Sequence, residues 1–194
     1  IVQLINVVLP FGHAQPINLT LTGPMRMAIL GANGCGKSTL LQVIAGQLPA
    51  RAGGVVRSCH VGWLDQHAGL QHPQRTAVQW LYESNPHLPE ADARTRLAQM
   101  GIDADRAMLK TCQLSGGERL KIALAAELYA LRPPQLLLLD EPDNHLDLPS
   151  KIALEQMLDQ YTGALIVVSH DSAFLQAIHL DTEFHLGNAP RHLG

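Results

Sequence analysis

Long apolar runs are missing from this 194-residue chain. The candidate from Gln135 to Leu139 is strand length. A membrane helix needs ~18–20 uninterrupted apolar residues, so no membrane segment is expected. Cysteine is scarce. Cys35, Cys59 and Cys112 make no spaced framework and leave one thiol unpaired, which argues against a disulfide scaffold and for a reducing, cytoplasmic setting. The opening Ile1-Val2-Gln3-Leu4-Ile5 has neither a basic n-region nor a cleavage pattern. It also lacks an initiator Met, and we expect a fragment of a longer protein. No dense Lys/Arg run of the kind used for autonomous nucleic-acid binding occurs. His60, His67 and His72, with Cys59 nearby, have no recognised zinc spacing, so surface positions are expected for them. Neither an internal repeat nor a low-complexity segment is visible.

What is present fits a globular chain of one domain, with 46% apolar residues and modest charge. The charge is uneven. Residues 1–132 hold 12 Lys/Arg against 8 Asp/Glu, whereas residues 133–194 hold 2 against 9. Apolar stretches broken by Pro10, Gly12 and Pro16 predict short antiparallel strands through about Leu21. Residues 55–57 and 61–64 are also strand-like. Helices are expected over 77–82, 90–100 and 118–131. Strand–helix–strand alternation follows: 135–139, then 149–161, 164–168 and 172–178. The fully apolar strands predict a mainly parallel sheet covered on both faces, an α/β core with a helical insert at about 72–132.

Between the apolar run Met27-Ala28-Ile29-Leu30 and a helix from Ser38 lies Gly31-Ala32-Asn33-Gly34-Cys35-Gly36-Lys37-Ser38. This is G-x-x-x-x-G-K-[ST], the Walker A pattern, in the strand–turn–helix context that it requires. The glycines allow backbone angles closed to other residues, so successive amides can turn toward one anion. The helix N-terminus adds unpaired N–H groups and a positive dipole end. Lys37 is expected to reach the β- and γ-phosphates of a nucleoside triphosphate, and the Ser38 hydroxyl to ligate Mg²⁺. Thr39 continues the loop into the helix. Cys35 occupies a position that mainly needs a small side chain.

Downstream, the apolar strand 136–139 ends in Asp140-Glu141. A buried strand delivering a carboxylate beside a phosphate loop is the Walker B arrangement, with Asp140 on Mg²⁺. Glu141, one residue on, faces elsewhere and is expected to polarise the attacking water. His170 follows another apolar strand, at the edge where ligands of open α/β sheets gather, and is expected to contact the γ-phosphate. Leu114-Ser115-Gly116-Gly117-Glu118 opens a helix and predicts a second anion-binding nest. One nucleotide cannot easily use both, so the second is expected to serve the nucleotide of another domain.

In family order, these segments resemble the nucleotide-binding domain of an ABC ATPase over essentially the whole chain. The resemblance implies a P-loop cassette with an antiparallel β-subdomain and an inserted helical subdomain. It also implies roles for further residues. Leu114 to Glu118 form the signature that contacts the ATP of a partner cassette, and His170 is the switch histidine. Gln66 is the Q-loop glutamine on Mg²⁺, Asp147 the D-loop aspartate, and Phe11, before Gly12, the aromatic that stacks on adenine. Glu141-Pro142-Asp143-Asn144-His145-Leu146-Asp147 is similar to the E-P-T-N-H-L-D of ABC-F proteins, which lack membrane domains. Ser115 to Ala125 and Ser169 to Leu175 fit the same group. Asp143 stands where threonine is usual, adding a negative charge, and Ser172 where arginine is common.

The resemblance thus implies a cytoplasmic, Mg²⁺-dependent ATPase cassette that pairs head-to-tail with a second cassette, in the same chain or as a homodimer, and that is linked to ribosomes. Two rivals are an ATP-binding subunit of an ABC transporter and a non-hydrolysing nucleotide switch. The transporter subunit would usually carry a serine in place of Asn144-His145. The switch predicts loss of Glu141 or His170, and both are present.

Overall fold

The computed structural model describes residues 1–65, 72–144 and 146–187. Gln66, His67 and His145 lie outside the described residues. In chain order the elements are β1 (Val2–Val8), β2 (Ile17–Leu21), β3 (Arg26–Leu30), α1 (Lys37–Ala45), β4 (Ala52–Arg57) and β5 (Val61–Leu64). There follow α2 (Ala77–Ser84), α3 (Glu90–Gln99), α4 (Ala104–Ala107), α5 (Gly116–Leu128), β6 (Leu136–Asp140), α6 (Leu148–Asp159), β7 (Ala164–Val168), α7 (Ser172–Ala177) and β8 (Thr182–His185). The chain folds as two compact units. One comprises Ile1–Trp63, Gln135–Glu141 and the residues from Thr162 on; the other comprises Leu64–Pro134 and Pro142–Tyr161.

The first unit holds two sheets. The smaller has the order β2-β1-β4 and is antiparallel. The larger runs β5-β6-β7-β3-β8, and β6, β7, β3 and β8 pair in parallel. All five residues of β6 and all five of β7 are buried. That explains their uninterrupted apolar sequences, because a parallel strand covered on both faces has no solvent side to make polar. Leu40, Leu41, Val43 and Ile44 of α1 join Met27 and Ile29 of β3, with Leu136, Leu138, Ile166 and Val168, in one core.

The core fixes where α1 begins and a side chain from β4 secures where it ends. Arg57 donates from Nε to Ile44 O and from Nη2 to Val43 O. A guanidinium on the last carbonyls of a helix satisfies acceptors that have no intrahelical partner and complements the negative dipole end. Arg57→Met is therefore expected to cost about 1 kcal/mol, which for a domain of this size lowers Tm by roughly 2–4 °C. An unchanged melting curve in scanning calorimetry would show that the cap contributes nothing.

The second unit is helical among its described residues. Thr76 caps α2 with a reciprocal Thr76–Gln79 capping box, and Ser115 caps α5 in the same way through Glu118. In both, the side chain at the cap and the one three residues later satisfy orphan donors at the helix start. The helix predicted over 118–131 begins two residues earlier, because Ser115 caps it before two glycines, and ends at Leu128. Among the described residues no helix is long and apolar enough to cross a membrane.

Candidate functional site

The phosphate loop lies between β3 and α1, as its strand–turn–helix sequence predicts. Gly31, Gly34 and Gly36 all have positive φ, with Gly36 at 105°. Gly36 is tight as well as left-handed. A Cβ built there would stand 3.1 Å from Phe11 O and 3.2 Å from His13 N. Conversely, a Cβ on Gly12, whose φ is 82°, would stand 2.6 Å from Gly36 Cα and 2.7 Å from Cys35 O. The two glycines let the 11–13 segment rest backbone against backbone on the phosphate loop. That puts Phe11, 69% exposed, beside the loop despite the short spacing in sequence.

Lys37 is only 6% exposed, and its Nζ donates to Gly31 O at 2.9 Å and Ala32 O at 3.2 Å. An ammonium carries three donors, so the loop's own carbonyls hold the lysine across the cradle and leave one for an anion. Ser38 follows in the first turn of α1 and is exposed, whereas Thr39 is half-buried. Ala32, Asn33 and Cys35 complete the loop, and Cys35 Sγ would be 2.8 Å from a Cβ on Gly31.

Asp140 is the last residue of β6 and 8% exposed. Glu141 follows in the left-handed region, with φ 49°, and its N–H donates to Val168 O at 2.8 Å. This non-glycine residue turns sharply off the strand end, so its side chain departs from the direction of Asp140. Backbone strain of this kind in a non-glycine residue gathers at functional sites. His170, two residues beyond β7, brings Nε2 to 3.7 Å from Glu141 Oε1. That is too long for a hydrogen bond but within ion-pair range if the imidazole is protonated. Ser169 Oγ accepts from Asp171 N at 3.0 Å, and Asp171 caps α7 by accepting from Phe174 N at 2.9 Å, so the histidine sits on a braced turn. Because β6 and β7 are adjacent and parallel, with Asp140 opposite Val168, their carboxyl ends deliver Glu141 and His170 side by side.

The hard oxygens in this unit, the Ser38 hydroxyl and the Asp140 carboxylate, suit Mg²⁺. Asp140 Oδ1 is buried and accepts no hydrogen bond, although the residue has polar contacts of its own. Gln66, the third expected ligand, lies outside the described residues. No group of three or more His, Cys, Asp or Glu side chains among the described residues could hold a metal by itself.

The second anion site differs from its expectation in one respect. Ser115 is extended and caps α5, but Gly116 and Gly117 are its first helical residues and have no positive φ. A nest of alternating handedness is therefore not formed; the glycines make up the capped first turn of α5, where Gly116 is exposed and Gly117 is buried, a Cβ there standing 2.8 Å from Ser150 Oγ. Glu118 also behaves differently. Its Oε2 accepts from Ser115 N at 2.8 Å and its Oε1 lies 2.7 Å from Arg106 Nε. The carboxylate is committed within its own unit. Leu114 is buried, and Arg119 Nη1 donates to its carbonyl at 2.6 Å.

Asp147 caps α6, accepting from Ser150 N at 3.0 Å, and its bonds to Ser150 hold its carboxyl below the usual carboxylate range. Lys121, 6% exposed, donates from Nζ to Met100 O at 2.9 Å, and burial lowers its pKa against the pull of Glu118 and Asp147. Arg106 and Lys121 were not singled out from sequence. No local pattern joins Arg106 to a glutamate twelve residues away, whereas the S-x-x-E box around Glu118 was a readable cue.

Strand, phosphate loop, helix and paired carboxyl-edge residues define a P-loop nucleotide-binding cassette. The profile of the ABC transporter family matches residues 14–144. The chain is 36% identical over 165 residues to ABC transporter F family member 2 of Arabidopsis thaliana, covering 83% of this chain and 24% of that protein. It is 37% identical over 175 residues to the ribosome protection protein VmlR of Bacillus subtilis, covering 88% and 31%. The dimeric, post-hydrolysis structure of the ATP-binding cassette MJ0796 with ADP and Pi has the same fold, with TM-score 0.77 and 21% identity over 96% of this chain and 94% of that one. The chain belongs to the ABC transporter family, as a cassette of the ABC-F kind. It spans about a quarter to a third of the length of the curated relatives that it matches.

Proposed function

We propose that this cassette binds and hydrolyses ATP with Mg²⁺, and that it does so as one of a head-to-tail pair. The observation that carries the reading is the placement of Glu141 and His170, 3.7 Å apart, at neighbouring strand ends in the unit that also holds the phosphate loop. Lys37 and the loop amides would bind the β- and γ-phosphates, and Phe11 would stack on the base. Ser38, Asp140 and Gln66 would hold Mg²⁺, which supplies charge neutralisation between the phosphates. Glu141 would orient a water in line with the γ-phosphorus and accept its proton; the bond to the bridging oxygen breaks, giving ADP and phosphate. His170 would contact the γ-phosphate. Asp147, at the D-loop, and Leu114 to Glu118 would face the partner cassette, with the α5 N-terminus completing that partner's site.

The pair explains why the chain has two anion sites for one nucleotide. ATPase activity per molecule should therefore rise with protein concentration and fall toward zero on dilution. A fast rate that stays flat down to dilute monomer sinks the pairing.

Likeness to the ribosome protection protein supports a cytoplasmic role in translation, with the ribosome as partner. Co-sedimentation with ribosomes in ATP, against co-fractionation with membranes, checks that role. Membrane association alone would favour the transporter subunit.

A further inference from the structure

We propose that Arg106 is a positioning residue for the second anion site: it neutralises Glu118 and so keeps a carboxylate charge from opposing the triphosphate that a second copy of this chain presents to Ser115, Gly116 and Gly117. The inference rests on the pairing described under Proposed function.

The start of α5 has a conflict in its charges. A helix N-terminus attracts anions through its unpaired amides and its dipole. Glu118, in the first turn, already takes part of that attraction. Its Oε2 occupies the Ser115 amide at 2.8 Å, and its own amide donates to Ser115 Oγ at 3.2 Å. The capping box gives α5 a defined start, yet it places a formal negative charge within one turn of the amides that must receive phosphate. Gly116 and Gly117 remain without intrahelical acceptors.

Arg106 resolves the conflict. Its Nε is 2.7 Å from Glu118 Oε1, the oxygen that the capping box leaves over. The arginine comes from α4, whose cap Asp103 accepts from Arg106 N at 2.8 Å, so the backbone that carries it is held. The other cations nearby are committed elsewhere. Lys121 acts on Glu118 by charge, but its Nζ donates to Met100 O; Arg119 donates to Leu114 O. Glu118 is 11% exposed and Arg106 46%, so the carboxylate is poorly screened by solvent while its partner can be replaced without opening the core. Because Arg106 is half exposed, its loss opens no cavity, and the unpaired Glu118 charge that it leaves should be felt in anion binding.

The test uses Glu141→Gln, which is expected to retain ATP, as the parent, and follows ATP-driven self-association by sedimentation. Adding Arg106→Gln should weaken association about tenfold, the scale of one charge-assisted contact. The affinity of the monomer for a fluorescent ATP analogue should not change, because the phosphate loop is untouched. Adding Glu118→Gln to that variant should restore association, since the amide keeps the box without the charge. Raised salt should shrink the deficit. Association that is unchanged by Arg106→Gln overturns the inference. So does a deficit that Glu118→Gln fails to repair, because the arginine would then act by holding the backbone. If the parent itself does not associate in ATP, the pairing under Proposed function fails, and the inference falls with it.

Discussion

Glu141→Gln should slow ATP turnover by about 10²–10⁴-fold, the range for removing a general base, while leaving ATP affinity nearly intact. The substitution is almost isosteric. A glutamine can keep the direction set by the left-handed backbone at φ 49° and by the amide bond to Val168 O. What it loses is the charge that accepts a proton from water. The protein should therefore accumulate with ATP bound, and in single-turnover experiments the chemical step, not binding, should carry the deficit. Hydrolysis within a few-fold of the parent protein would remove Glu141 from its role. The same result would weaken the significance of the 3.7 Å approach of His170.

Lys37→Met is expected to act one step earlier. The ammonium is 6% exposed and held by two loop carbonyls, so burying it requires the loop to be closed around it. Hydrogen bonds to charged groups contribute about 1.5–3 kcal/mol, which predicts a loss of nucleotide affinity of roughly 10–100-fold. Methionine fills the volume of the aliphatic stem, so the fold should survive and a titration with a fluorescent ATP analogue can be read directly. Affinity within twofold of the parent would mean that the loop amides alone bind the triphosphate. The two variants separate the functions of the unit, since one blocks the chemistry and the other the ligand.

Much of the site was legible because its parts are contiguous in the chain. Gly31 to Ser38 carries its own strand, turn and helix, and each glycine there has a local backbone reason. The four leucines and closing aspartate of β6 and the apolar β7 announce burial on both faces because nothing in them is polar until the strand ends. Ser115 and Glu118 announced a helix start through their spacing. Where expectation and structure part, the cause is that spacing also hides alternatives. Ser-Gly-Gly suggested a nest, but the capping box around Ser115 stabilises a helix from Gly116 onward, and that outweighs the freedom of the glycines to turn left-handed.

By itself, the sequence determined the ligand class, the strand ends that bear acids, and the order of elements that makes an ABC cassette. These follow from local periodicity and from motifs whose residues touch the same group. Only the tertiary structure decided that Glu141 and His170 meet, since this depends on β6 and β7 being neighbours. It alone placed Gly12 against Gly36 and Arg106 on Glu118. Contacts between residues twelve or more apart depend on how strands and helices pack, and packing responds to the whole core rather than to any one segment.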